Sequence, residues 1–273
     1  MTRRWKNIII FPLAIALVGI LLFPLYSGFI ASISPSRLVG RPSIFPQEFR
    51  FQNYIDVWSR IPLGKYMLNG LFYALMSTLI VLGVSVPASY ALSRFRFIGK
   101  GLFMMIVLVT QMFSVATIIV PIFLFIIYLN LFDTYAGAIF IISAISTPLG
   151  IWYMRAFFDK VPPELEEAGM VDGCTRIQAV IRLVLPVAAP GLVTSAIVIF
   201  TMAYKQFFIP LVLLSSAKKY PALVGVYTLA NELAPPWELV MAAVFITILP
   251  PIVLFLFTSR FVIGGIGAGA IKG

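Results

Sequence analysis

Hydrophobic residues in this chain come in long blocks separated by short polar or turn-rich breaks. Six blocks stand out: Ile8–Ala31, Tyr66–Leu92, Leu102–Leu129, Thr134–Phe157, Val187–Leu214 and Leu239–Ser259. A hydrocarbon core about 30 Å thick needs roughly 20 apolar residues in a helix, so each block is long enough to span and the longer ones imply tilt. The pattern predicts an all-α membrane protein with six transmembrane helices, forming a single domain over residues 1–273. Prolines, among them Pro12, Pro24, Pro87, Pro121, Pro148, Pro210, Pro250 and Pro251, fall inside or at the ends of these blocks. Membrane helices tolerate proline when neighbours satisfy the freed carbonyls, so these positions read as kinks rather than breaks.

The polar breaks carry their own elements. Between the first two blocks, Tyr54, Val57 and Trp58 share helical spacing and predict a short helix lying at the membrane interface. It suits an aromatic anchor, or a contact with an external protein. Between the fourth and fifth blocks, over 160–186, Pro162-Pro163 presets the first turn of a new helix. Glu164, Glu166 and Glu167 then follow where the helix dipole favours negative charge. Asp172-Gly173 stops that helix. A second one runs from about Thr175, with Ile177, Val180, Ile181 and Val184 on one stripe, and Pro186 closes it. An apolar stripe in a short hairpin must pack on the chain's own helices, on lipid or on a partner. Interfacial helices favour basic polar faces, so the acidic first turn favours a protein partner over anionic lipid.

Composition narrows the chemistry. The chain is 61% hydrophobic and 11% charged, with a formal net charge of +10. The basic residues sit mostly in the short segments between apolar blocks, an arrangement explained by topology and lipid headgroups, so no nucleic-acid partner is expected. With the N-terminus in the cytoplasm, twelve Lys and Arg residues fall inside, including the clusters Arg3 to Lys6 and Arg94 to Lys100, and seven outside. Six crossings then place the 160–186 loop and the C-terminus on the cytoplasmic side. The first block is too long for a signal peptide core and reads as an uncleaved helix. There is no histidine and a single cysteine, Cys174. No catalytic residue and no metal site is expected from that set. No Gly-x-x-x-x-Gly-Lys-Ser/Thr phosphate loop occurs, so no cofactor is expected on this chain and any ATP would be used by another.

The loop sequence Glu166-Glu167-Ala168-Gly169-Met170-Val171-Asp172-Gly173, then nine residues, then Leu183-Val184-Leu185-Pro186, resembles the "EAA" loop of ABC importer permeases. The family pattern is Glu-Ala-Ala, three residues, Gly, nine residues, Ile-x-Leu-Pro; Gly169 stands for the second Ala and Leu183 for the Ile. The tail from Gly264 to Gly273, Asn53-Tyr54 and Leu131-Phe132-Asp133-Thr134 are similar to the maltose-type, MalG-like sugar subfamily. The resemblance implies a type I importer transmembrane domain in the plasma (inner) membrane, both termini cytoplasmic. It implies docking on a separate ATPase through Glu166, Glu167, Ala168, Gly169, Asp172 and Gly173. Its implied partners are a second homologous permease, two ATPase subunits, an external sugar-binding protein and membrane lipids. In that subfamily the tail reaches toward the ATPases; taken by itself, a glycine-rich tail equally suits disorder.

Lys205 lies in the fifth block, beside Tyr204 and Gln206. An intramembrane lysine is costly and should face protein, a cavity or a route to the interface. The three residues are candidates for the substrate pathway, their polar groups suited to sugar hydroxyls and the cation to an acidic sugar; a structural lysine paired with a carbonyl or a partner's carboxylate is the alternative. Gln111, Ser114 and Thr117 form a weaker polar stripe that reads as interhelical bonding. Two other classes remain open: a secondary transporter or channel not coupled to ATP, for which paired intramembrane carboxylates are missing, and a membrane enzyme, for which only the loop carboxylates remain.

Overall fold

The computed structural model describes the backbone of residues 3–39, 45 and 47–270 and the side chains of residues 11–39, 45 and 47–258. The side chains of Arg3, Arg4, Lys6 and of the tail from Gly264 lie outside the described residues. Among the described residues all regular structure is helical. The helices are α1 (Arg3–Ser32), α2 (Asn53–Arg60), α3 (Leu63–Arg94), α4 (Lys100–Thr110), α5 (Val115–Tyr128) and α6 (Tyr135–Phe158). They continue with α7 (Pro163–Val171), α8 (Arg176–Ala179), α9 (Leu185–Tyr204), α10 (Phe208–Leu213), α11 (Ala222–Ala230) and α12 (Trp237–Ala270). Among the described residues, five helical stretches are long and apolar enough to cross a membrane, and α4 with α5 makes a sixth if the bent pair is one span. The chain divides into two compact units, residues 1–64 with 225–248 and residues 65–224 with 249–273.

Three predicted boundaries change. The block predicted as one span over Leu102–Leu129 is two helices meeting at 100°. At the break, the amides of Gln111 and Met112 close tight turns onto Leu108 and Val109, and Ser114 turns to an extended conformation. Hydropathy averages over such a break because Met112 and Phe113 are apolar. The block predicted over Val187–Leu214 is interrupted after Tyr204. Pro210 has no amide to bond the carbonyl of Gln206, and its ring would clash there, so the helix stops and restarts as α10. Pro186, by contrast, does not close a helix. The turn Val180–Val184 is a π-turn in which the Leu185 amide bonds Val180, five residues back. That wider turn carries the chain past the proline, and Arg176–Tyr204 forms one 29-residue stretch.

In the first unit, α2 is tied to the end of α1. The buried Asn53 amide donates to the carbonyls of Ser32 and Ser34, both at 2.9 Å. The Tyr54 and Ser32 hydroxyls lie 2.8 Å apart. Val57 is fully buried while Trp58 is exposed, so α2 is a clamp with an aromatic outer edge. Gly28 lets α1 lie close to Met241 and Phe245 of α12.

The second unit is packed around Tyr73, Ile126, Ile142, Tyr204, Ile209 and Leu213. Helices α6 and α9 approach closely because Gly191 leaves room for Phe157: a Cβ at 191 would sit 2.1 Å from that ring. The turn before α6 is pinned by Asp133. Its carboxylate accepts from the Ser215 and Ser216 amides at 3.1 and 3.0 Å, from the Ser216 hydroxyl at 2.5 Å, and pairs with Lys219 at 2.9 Å. Bonding to these donors, the Ser216 hydroxyl above all, holds the Asp133 carboxyl well below the usual carboxylate range.

Candidate functional site

The 160–186 loop is built as a rigid platform. Helix α7 starts with Pro163 in its first turn, where the missing amide costs nothing. It ends in a Schellman turn: the Gly173 amide bonds Met170 and the Cys174 amide bonds Gly169, with Gly173 at φ 88°. A side chain is strained in that left-handed conformation, which is why glycine stands there. Thr175 then caps α8 in a reciprocal pair with Gln178. The base of the platform is apolar. Val184 and Val161 are buried with Met154, Phe158 and Ala188, and Leu165 packs against them.

Glu166 is the centre of this platform rather than part of its outer surface. It is 5% exposed. Its carboxylate lies 3.4 Å from Arg94 at the end of α3 and 3.4 Å from Arg176 in α8, and it accepts a 2.5 Å hydrogen bond from the Tyr90 hydroxyl. Arg94 also donates to the Val161 carbonyl at 2.7 Å, and Arg176 lies over the Phe95 ring. One carboxylate thus joins α3, α7 and α8. The carboxylate faces inward in this chain because two arginines surround it, Arg94 from the end of α3 and Arg176 from the same loop. Neither arginine was singled out from the sequence, because Arg94 reads as a topology signal and Arg176 as an ordinary loop charge.

The other loop residues divide by exposure. Gly169 is buried, and a Cβ there would meet Leu183 Cδ1 at 2.4 Å. The two positions where this chain departs from the family pattern therefore touch each other, the smaller residue making space for the longer one. Glu167, Ala168, Asp172 and Gly173 are exposed. The predicted apolar stripe also splits. Val184 faces the core, whereas Ile177 and Ile181 are 71% and 58% exposed and Val171 is 87% exposed.

The second candidate is a cavity of about 500 Å³ in the second unit, formed where two helices break. Thr110, Gln111, Phe113 and Val115 line it from the α4–α5 break, and Lys205, Gln206, Phe207 and Phe208 from the α9–α10 break. Ile145, Ser146 and Leu149 of α6 and Met202 of α9 complete the wall. Lys205 and Gln206 thus share one cavity. Tyr204, grouped with them by sequence, does not line it; its ring is buried against Gly70 and stacks on Phe200. A helix that stops at Tyr204 turns the next two side chains away from the core face. Gln111, read from the sequence as interhelical bonding, is on the cavity wall, and its amide also reaches the Ile145 carbonyl at 3.5 Å. A polar residue next to a short apolar stretch was the available signal for that break.

Residues 61–263 match the family described as "Binding-protein-dependent transport system inner membrane component". The trehalose/maltose transport system permease protein MalG of Thermococcus litoralis is 30% identical over 98% of this chain and 98% of its own length. The sulfoquinovosyl glycerol transport system permease protein SmoH of Agrobacterium fabrum is 32% identical over 84% of this chain and 80% of its own length. A crystal structure of a bacterial ABC transporter involved in import of the acidic polysaccharide alginate superposes with a TM-score of 0.79, at 24% identity, covering 95% of this chain and 98% of that one. An all-helical membrane unit with a helical loop between its spans, matched over most of its length by these permeases, belongs to the binding-protein-dependent transport system inner membrane components.

Proposed function

We propose that this chain is the permease subunit of an ATP-driven importer for a sugar or oligosaccharide, lining the path and docking on a separate ATPase through the 163–184 platform. The observation that carries this is the platform itself. A loop of two short helices is held rigid from beneath by Glu166, Arg94, Arg176 and Tyr90. Its outer side exposes Glu167, Ala168, Val171, Ile177 and Ile181. Exposed aliphatic side chains on a structurally fixed loop are what a partner surface requires. A lever must also be stiff, and the buried Glu166–Arg94 pair, with the half-exposed Arg176 beside it, contributes to that stiffness. The sequence offers no phosphate loop of its own, so the hydrolysis belongs to another subunit. The names of the relatives point to saccharides, and a solved transporter of this fold is in complex with an alginate-bound periplasmic protein. A second permease and an external binding protein follow from the same family logic. In this reading the termini and the platform are cytoplasmic, where the basic clusters place them.

The test separates the surface of the platform from its interior. The assembly is purified through the ATPase from cells carrying Glu167→Arg, Ile177→Ser and Ile181→Ser together. The expected result is loss of the permease from the purified complex and of ATP-dependent sugar uptake, with the permease still folded in the membrane. Intact assembly and uptake in that variant, or uptake by the isolated chain without ATP, overturns the reading.

A further inference from the structure

Among the described residues, Lys205 carries the one full charge on the cavity wall, and none of the ten Asp and Glu residues of the chain, all of them described, lines it. A cation within a membrane-spanning region persists where a counter-charge or water reaches it. The cavity supplies the space: about 500 Å³ falls in the range of roughly 300–1,000 Å³ typical of small-molecule sites. Its other polar groups are neutral, the amides of Gln111 and Gln206 and the hydroxyls of Thr110 and Ser146, and Phe113 and Phe207 add apolar ring surface. Amides bond sugar hydroxyls in either direction, and aromatic rings accept the C–H face of a pyranose. What the neutral groups leave unmatched is the ammonium.

We propose that this cavity takes an acidic saccharide, with Lys205 pairing with its carboxylate, sulfonate or phosphate ester. The proposal rests on the reading of the chain as a saccharide permease and adds the charge of the cargo. The geometry supports it in two ways. Both helix breaks open on the same space, so Lys205 stands beside backbone that is already irregular, which within a membrane is tolerated where it lines a cavity. Helix α5 also begins on this wall at Val115 with no side-chain cap from Ser114, and a helix N-terminus adds to the positive potential of the lysine. An ammonium is a compact, rotatable point charge, so it discriminates an anion from a neutral sugar without demanding one planar anion geometry.

The experiment uses the complete importer in proteoliposomes: this chain with its partner permease, ATPases and binding protein. Uptake is measured for a uronate-bearing disaccharide, a sulfonated sugar glycoside and a sugar phosphate, each beside its neutral counterpart. The expected result is uptake of at least one anionic probe by the native complex. In Lys205→Met the ratio of anionic to neutral uptake should fall about tenfold or more, the scale of one lost charge-assisted contact. Lys205→Arg should retain most of that ratio. If only anionic probes are carried, loss in Lys205→Met with retention in Lys205→Arg supports the proposal equally. Equal loss of both classes in Lys205→Met marks the lysine as a structural cation paired with a partner subunit, and overturns it. So does a native complex that carries only neutral sugars, which leaves the permease reading standing. A native complex that carries no saccharide at all overturns both.

Discussion

The Glu166 carboxylate lies 3.4 Å from the Arg94 guanidinium, joining the first helix of the 160–186 loop to the end of α3. Both side chains are nearly excluded from solvent, at 6% and 11% exposure. Removing one member of such a pair leaves the other charge buried and uncompensated, at a cost of about 3–5 kcal/mol. Glu166→Ala should therefore loosen the loop without unfolding the spans. Hydrogen exchange should accelerate over residues 163–184 and stay unchanged within α6. Glu166→Ala combined with Arg94→Met should cost less than the sum of the two single changes, because the second removes the stranded charge. Additive effects would show that the pair does not couple.

Gly169 and Leu183 form a matched contact. Adding a methyl group in Gly169→Ala forces the Leu183 side chain to move, and overpacking of this kind costs about 1–3 kcal/mol. The displaced atom is the far end of a flexible side chain, so the cost should sit at the low end. Gly169→Ala with Leu183→Ile restores the family's pair of residues and should melt nearer to the native protein than Gly169→Ala alone. A thermal melt of the purified assembly checks both; a double variant less stable than the single one would contradict the contact.

Asp133 gives a pH dependence. Its carboxyl is held below its ordinary value in the folded protein, so the unfolded chain binds the proton more tightly. The stabilisation is present in full above the ordinary carboxylate value of about 4 and is lost as pH falls below it through the folded value. Melting temperature should thus drop in acid more steeply for the native protein than for Asp133→Asn. The variant should also be less stable at neutral pH, because it loses the Lys219 pairing and weakens the bonds from Ser215 and Ser216. Parallel pH profiles for the two proteins would rule out this role.

Gln206 and Tyr204 make a control pair for the cavity. In a Cys174→Ser background, Gln206→Cys should react with a membrane-impermeant thiol reagent in the assembled importer, and Tyr204→Cys should not. Gln206 lines the cavity, whereas Tyr204 is 5% exposed against Gly70. Equal labelling of the two positions would place the path elsewhere.

The helical class was legible from the apolar blocks because a bilayer imposes a minimum length that no local preference can override. The start of α7 at Pro163 and its end at Asp172-Gly173 were legible for a different reason: proline and glycine act through their own backbone geometry. Breaks inside blocks were not. The bend after Thr110 includes Gln111 and Ser114, but Met112 and Phe113 between them keep the block apolar on average, and the π-turn at Val180–Val184 carries the chain through Pro186 by a change of hydrogen-bond register. Neither lowers mean hydropathy enough to mark a break.

The sequence by itself determined what is local: which segments are apolar enough to span, where proline and glycine punctuate them, and that a charged, helical loop separates the fourth block from the fifth. Tertiary structure decided which way each side chain faces. Glu166 turned inward because Arg94 and Arg176, far apart in the chain, converge on it, and Lys205 shares a cavity with Gln111 because two unrelated helices break at the same place. Such meetings depend on distances between elements, and no one-dimensional pattern encodes them.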